Sequence, residues 1–201
     1  MIYANLYKDA VPLGCWNKYH QQNYMVWFKG KPEPIVFGLL DAARLMKTPK
    51  ALFCPAESNP ESQFNTPINP WPPYAGIATN VRIGYGSRPI DAAGKEVAWS
   101  GDFAYPDQSG KIFPRLYRYK NKAILADYVS SPMRVLTRHK KGINVLYANG
   151  GAHWVDQGLF KSQFEYSDKA GVDFFDKNGD WLTDRIWFNF DADKQLYATN
   201  P

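Results

Sequence analysis

The order of apolar and polar positions divides the chain into a short helical start, an irregular middle and a later half with sheet character. Ile2 to Lys8 reads as the last turns of a helix, ending at the polar, Pro-containing stretch Asp9 to Gly14. Glu33 to Lys47 predicts a second helix. Pro34 stands near its first turn, and Ile35, Leu39, Ala42, Ala43 and Met46 recur at the spacing a buried helix face needs. Pro55, Pro60, Pro67, Pro70, Pro72 and Pro73 then fall close together, a density that breaks helices and central strands and predicts a long surface loop. Tyr74 to Gly86 returns to extended structure, and the polar run Ser87 to Gly110 predicts a further excursion.

Regular structure resumes at Lys122 to Tyr128, whose apolar centre Ala123-Ile124-Leu125-Ala126 predicts a buried strand. Ile143 to Ala148 and Ala152 to Asp156 predict two more strands around Asn149-Gly150. Both turn residues tolerate the positive φ angles of a type I′ turn, so an antiparallel hairpin is expected here. No repeat, low-complexity stretch or linker interrupts the chain, and 201 residues suit one core. Residues 1–201 are therefore expected to form a single domain, with 156–201 as a C-terminal extension of it.

Composition sharpens the class. Aromatic residues make up 16% of the chain, set against 15 Pro and 15 Gly. That balance favours half-buried sheet surfaces and turns over a helical bundle, so an α+β fold with an antiparallel sheet and long loops is expected. The net charge of +5 is spread out, and its one dense cluster, Arg138-His139-Lys140-Lys141, reads as a solvated turn and not a phosphate patch. No apolar stretch reaches the roughly 20 residues that cross a bilayer.

Candidate chemistry is sparse. Cys15 and Cys54 show neither C-x-x-C nor metal-ligand spacing, so zinc is not expected. They could form one disulfide or remain two buried thiols. The three histidines, His20, His139 and His153, lie outside any G-x-S-x-G, H-E-x-x-H or Cys-His context, and catalysis is not expected. Gly84-Tyr85-Gly86 lacks the remainder of a phosphate loop. One stretch could bind calcium: Asp176, Asn178, Asp180 and Asp184 place oxygen ligands in a D-x-N-G-D context, with a polar Asx turn as the alternative. No other cofactor is expected. Trp71, Trp99, Trp181 and Trp187 stand in or near polar loops, where they could form a sugar-binding platform or pack a core.

One constellation carries a family resemblance. His139 precedes Asn149-Gly150 by the interval of an H-x9-D-G signature, and Asn144-Val145-Leu146-Tyr147-Ala148 before the turn and Trp154-Val155 after it fit the same pattern. Tyr3-Ala4-Asn5, Asp9-Ala10-Val11-Pro12, Phe53-Cys54-Pro55 and Ala123-Ile124-Leu125-Ala126-Asp127 follow the family order as well. The chain thus resembles prepilin-type H-x9-D-G proteins of the type II secretion pseudopilin and type IV pilin kind. It departs from them at Asn149, where Asp is usual, and at Gly151, where a second His is common.

The resemblance implies a pilin-like headpiece, a truncated N-terminal helix followed by the sheet. The rest of that helix would be apolar, follow a processing site and anchor the precursor in the inner membrane. It implies a non-enzymatic subunit at the periplasmic or outer cell surface, with other pilin-like subunits or a secreted protein as partners and no nucleic acid. His139, Asn149 and Gly150 then mark the fold by shaping the hairpin, and His139 bonds or caps it. The alternative function is a surface carbohydrate-binding module using the loop tryptophans.

Overall fold

Strict alternation of inward and outward side chains builds the centre of the molecule. In strand Gly142–Tyr147, Ile143, Val145 and Tyr147 point into one core, while Asn144 is exposed between them. This computed structural model describes residues 2–16, 20–73, 77–89, 98–99, 113–129, 132–162 and 182–191. Along them lie helices α1 (Ile2–Leu6), α2 (Gly38–Ala42), α3 (Pro132–Arg138) and α4 (Leu182–Asp191). The strands are β1 (Cys15–Trp16), β2 (Met25–Trp27), β3 (Val81–Arg82), β4 (Tyr85–Ser87), β5 (Ala98–Trp99), β6 (Ala123–Asp127), β7 (Gly142–Tyr147) and β8 (Ala152–Asp156).

The class is α+β. The main sheet has four antiparallel strands in the order β4-β6-β7-β8, with Ala126 opposite Val145 and Val145 opposite His153. Two short ladders accompany it, β2 with β3 antiparallel and β1 with β5 parallel. One core joins the N-terminal third, from Tyr3 to Phe53, to Val81, Ile83 and Tyr119, and partly buried Ile124 and Leu125 pack against it. A second core gathers Ala126, Val135, Val145 and Tyr147 beneath Phe160, Ile186, Trp187 and Phe190. Each such aromatic, fully buried, contributes on the order of 2–3 kcal/mol. Helix α4 therefore closes one face of the sheet. No described helix is long and apolar enough to cross a membrane.

The helix expected over Glu33 to Lys47 is confined to α2. Its first half is held extended, since Ile35 N–H donates to the Val26 carbonyl at 2.9 Å and Pro34 bridges Trp27. Pairing with β2 wins there over local helical spacing. The far end closes when Leu45 N–H reaches Leu40 O and Arg44 N–H reaches Asp41 O, with Arg44 in left-handed conformation at φ 56°.

The expected hairpin forms with a different turn. Gly150 N–H donates to Tyr147 O, Tyr147 N–H donates to Gly151 O, and Gly150 alone among Ala148, Asn149 and Gly150 has positive φ, at 91°. That is a three-residue connection ending in a left-handed glycine and not a two-residue type I′ turn. Asn149 Oδ1 accepts from Gly151 N–H at 2.9 Å, supporting the turn with its side chain.

Candidate functional site

Three side chains from distant segments meet at one end of the sheet. Cys54 Sγ lies 3.4 Å from His139 Nε2, across 85 positions of sequence, and the same nitrogen lies 3.3 Å from Asp127 Oδ2. A ligand atom from each of the three falls within 4.8 Å of the other two.

Local folding explains each placement. Asp127 ends β6 where the ladder to β7 runs out, so its carboxylate takes over as acceptor. Oδ2 receives the Asn144 backbone N–H at 2.6 Å and the Asn144 side-chain amide at 3.0 Å. His139 stands just past α3, whose end is closed by the His139 and Lys140 N–H groups on the Val135 carbonyl; Lys140 then turns left-handed at φ 60° and leads into β7. Cys54 follows a short 3-10 turn, Pro49–Leu52. Gly84 lets the cysteine backbone come close, since a Cβ there would stand 2.3 Å from Cys54 N, and Gly84 N–H also donates to Leu52 O at 2.8 Å.

The surroundings are charged but largely neutralised. Arg138 and Glu57 form a buried ion pair beside Cys54. Arg138 and Arg134 each stand 4.7 Å from the centre of the Tyr128 ring. Of the basic cluster, Lys140 and Lys141 are exposed as expected of a solvated turn, whereas Arg138 is buried. Burial pushes the Cys54 thiol up; the Ala56 N–H and Arg138 oppose the shift, while the Asp127 and Glu57 carboxylates add to it. Burial likewise raises the Tyr85 phenol, again with Asp127 adding. Phe53, Cys54, Glu57, Phe64 and Tyr85 line a cleft of about 620 Å³.

The cluster lacks relay geometry. A nucleophile, an imidazole and a carboxylate act in series when the two ring nitrogens serve different partners. Here Cys54 and Asp127 share Nε2, which cannot accept the thiol proton and donate to the carboxylate at once. A thiol pushed up also holds its proton at neutral pH. The types and closeness of the three groups suit a metal ligand set better.

Cys15 and Cys54 are both buried and not bridged to each other, so the structure has the buried-thiol alternative. Asp176, Asn178 and Asp180 lie outside the described residues. Asp184 stands in α4 with its carboxylate 2.6 Å from Nδ1 of buried His20. Trp71 is half-buried and packs against Phe53 and Phe64, whereas Trp187 is fully buried in the second core and has no exposed ring face. Trp99 lies in β5, and Trp181 lies outside the described residues. His153, in β8, stands opposite Val145 of β7 and sets its ring 5.5 Å from that of Tyr147.

His139 was singled out by sequence, but its junction with Cys54 and Asp127 was not. The only signal was that all three sit in the fragments arranged in family order. No family model, curated protein or solved structure matches the chain.

Proposed function

We propose that the protein is a pilin-like, pseudopilin-type subunit of a type II secretion or type IV pilus-like assembly, acting without catalysis by packing against other subunits or a secreted protein at the cell envelope. One observation carries this reading. Phe53-Cys54-Pro55, Ala123–Asp127 and the His139 signature resemble the family separately, yet each delivers one side chain to the same cluster. That three of the fragments meet in space is what supports the reading.

Two features support the reading further. An antiparallel sheet follows an N-terminal helix, as in a pilin-like headpiece. On that helix Tyr3 and Ala4 are buried, while Ile2 and Leu6 are 66% and 61% exposed, an apolar face suited to continuation and packing in a filament. The envelope location and inner-membrane anchor belong to this proposal, since an apolar helix of about 20 residues would serve as span and then as filament core. The test is the encoded sequence upstream of Ile2, followed by expression of the whole gene product with a prepilin peptidase. Processing and membrane fractionation are expected. An upstream sequence with no apolar helix and no cleavage site would overturn the proposal.

A further inference from the structure

We propose that Cys54, Asp127 and His139 form a site for a thiophilic divalent cation of the zinc class, bound by one sulfur, one nitrogen and one oxygen. Zinc takes such a set with metal–sulfur bonds of about 2.3 Å and metal–nitrogen or metal–oxygen bonds of about 2.0–2.1 Å. Tetrahedral angles between those bonds separate sulfur from nitrogen by roughly 3.5 Å and nitrogen from oxygen by roughly 3.3 Å. The structure has 3.4 Å between Cys54 Sγ and His139 Nε2, and 3.3 Å between His139 Nε2 and Asp127 Oδ2. Two edges of the tetrahedron are thus in place.

The shared nitrogen, which defeats a proton relay, is compatible with a metal, because it leaves one sulfur, one nitrogen and one oxygen close enough together to surround a single ion. Asn144 fixes the carboxylate through two donors on Oδ2; a metal bound at that oxygen takes the place of one of them, and the other remains as the outer support that metal-binding carboxylates usually have. Charge also balances, because a thiolate and a carboxylate offset a divalent ion while Arg138 holds the neighbouring Glu57. On binding, the Cys54 S–H bond breaks, the proton leaves to solvent and the sulfur bonds the metal. His139 coordinates through Nε2 with its ring proton on Nδ1. The fourth position of a three-ligand site is taken by water or an incoming ligand, and Cys54 lines the cleft through which either would arrive. Sulfur and imidazole select against calcium and magnesium, so this site is distinct from the oxygen-rich stretch around Asp176.

The proposal stands independently of the pilin-like reading. Reduced, metal-free protein is titrated with Zn²⁺ by calorimetry and with Co²⁺ by absorption. One equivalent of each is expected, with an intense sulfur-to-cobalt band in the near ultraviolet that persists in Cys15→Ala. Cys54→Ser should abolish that band, and Cys54→Ser and His139→Gln should each weaken Zn²⁺ binding at least about 100-fold. Asn144→Ala should weaken it about 10- to 100-fold. Circular dichroism of each metal-free variant checks its fold, and the Cys15→Ala spectrum assigns the thiolate even where a ligand variant fails to fold. Absence of stoichiometric uptake by the wild-type protein would overturn the proposal, as would a band that survives in Cys54→Ser or is lost in Cys15→Ala.

Discussion

At the scale of single residues, backbone conformation and close approach matter as much as side-chain chemistry. Arg44 closes α2 from the left-handed region, where an L side chain costs on the order of 1 kcal/mol and glycine very little. Its side chain is exposed, so little packing offsets that cost. Arg44→Gly should stabilise the protein by roughly 0.5–1 kcal/mol, read as a higher urea midpoint with an unchanged slope. A lower midpoint would mean that the guanidinium contributes more than the strain costs. Gly84 presents the opposite case, because there the contact distance to Cys54 N decides and any Cβ must push the cysteine segment away.

Among the elements, legibility followed locality. The β7–β8 hairpin could be read from sequence because Asn149-Gly150 and the alternating residues around it act on their immediate neighbours. Only the turn type escaped, since Gly150 alone takes the positive φ. The helical periodicity over Glu33 to Lys47 outruns the helix itself, because β2 captures Ile35 first. α4 has a local signal that the sequence reading does not use: Thr183, Ile186, Trp187 and Phe190 recur at helical spacing and lie on one buried face, directly after a polar acidic stretch. The Cys54–Asp127–His139 junction was illegible for a different reason. Its members come from a turn, a strand end and a helix exit, and only the folded sheet brings them together.

Helix α2 also carries a pH-sensitive position. Burial raises the Asp41 carboxyl above its ordinary 3.8, so the folded state binds its proton more tightly than the unfolded chain does. Below 3.8 both states are protonated and burial costs nothing. As pH rises through the raised value, stability is lost. Asp41→Asn should therefore raise the melting temperature at pH 7 by about 1–2 °C, and the gain should fade as pH drops below 3.8. A gain equal at both pH values would place its origin elsewhere.

For the whole molecule, one buried ion pair fastens the last described helix to the sheet. Both terminal nitrogens of Arg88, which is 0% exposed, donate to Asp191 at 2.8 Å, and Asp191 also accepts the Ala123 N–H at 2.9 Å. An acidic residue at a helix C-terminus opposes the helix dipole, so this tertiary clamp accounts for its presence. Asp191→Ala strands a buried guanidinium and should cost about 3–5 kcal/mol by urea denaturation. Pairing it with Arg88→Met should recover much of that loss; a double variant as unstable as the single one would show that the packing of α4 is at fault.

The closure of the sheet by α4 has a consequence for how the chain comes to fold. Val145 and Tyr147 are covered by Trp187 and Phe190, which are synthesised after both β7 and β8. Until then that apolar face lacks its cover, and the contacts that shut it are non-local, Tyr147 reaching the Phe190 carbonyl across 43 positions of sequence. Such late, long-range closure slows folding and prolongs the time in which a partner can engage the exposed face. A nascent chain held in that state would be a natural substrate for chaperones.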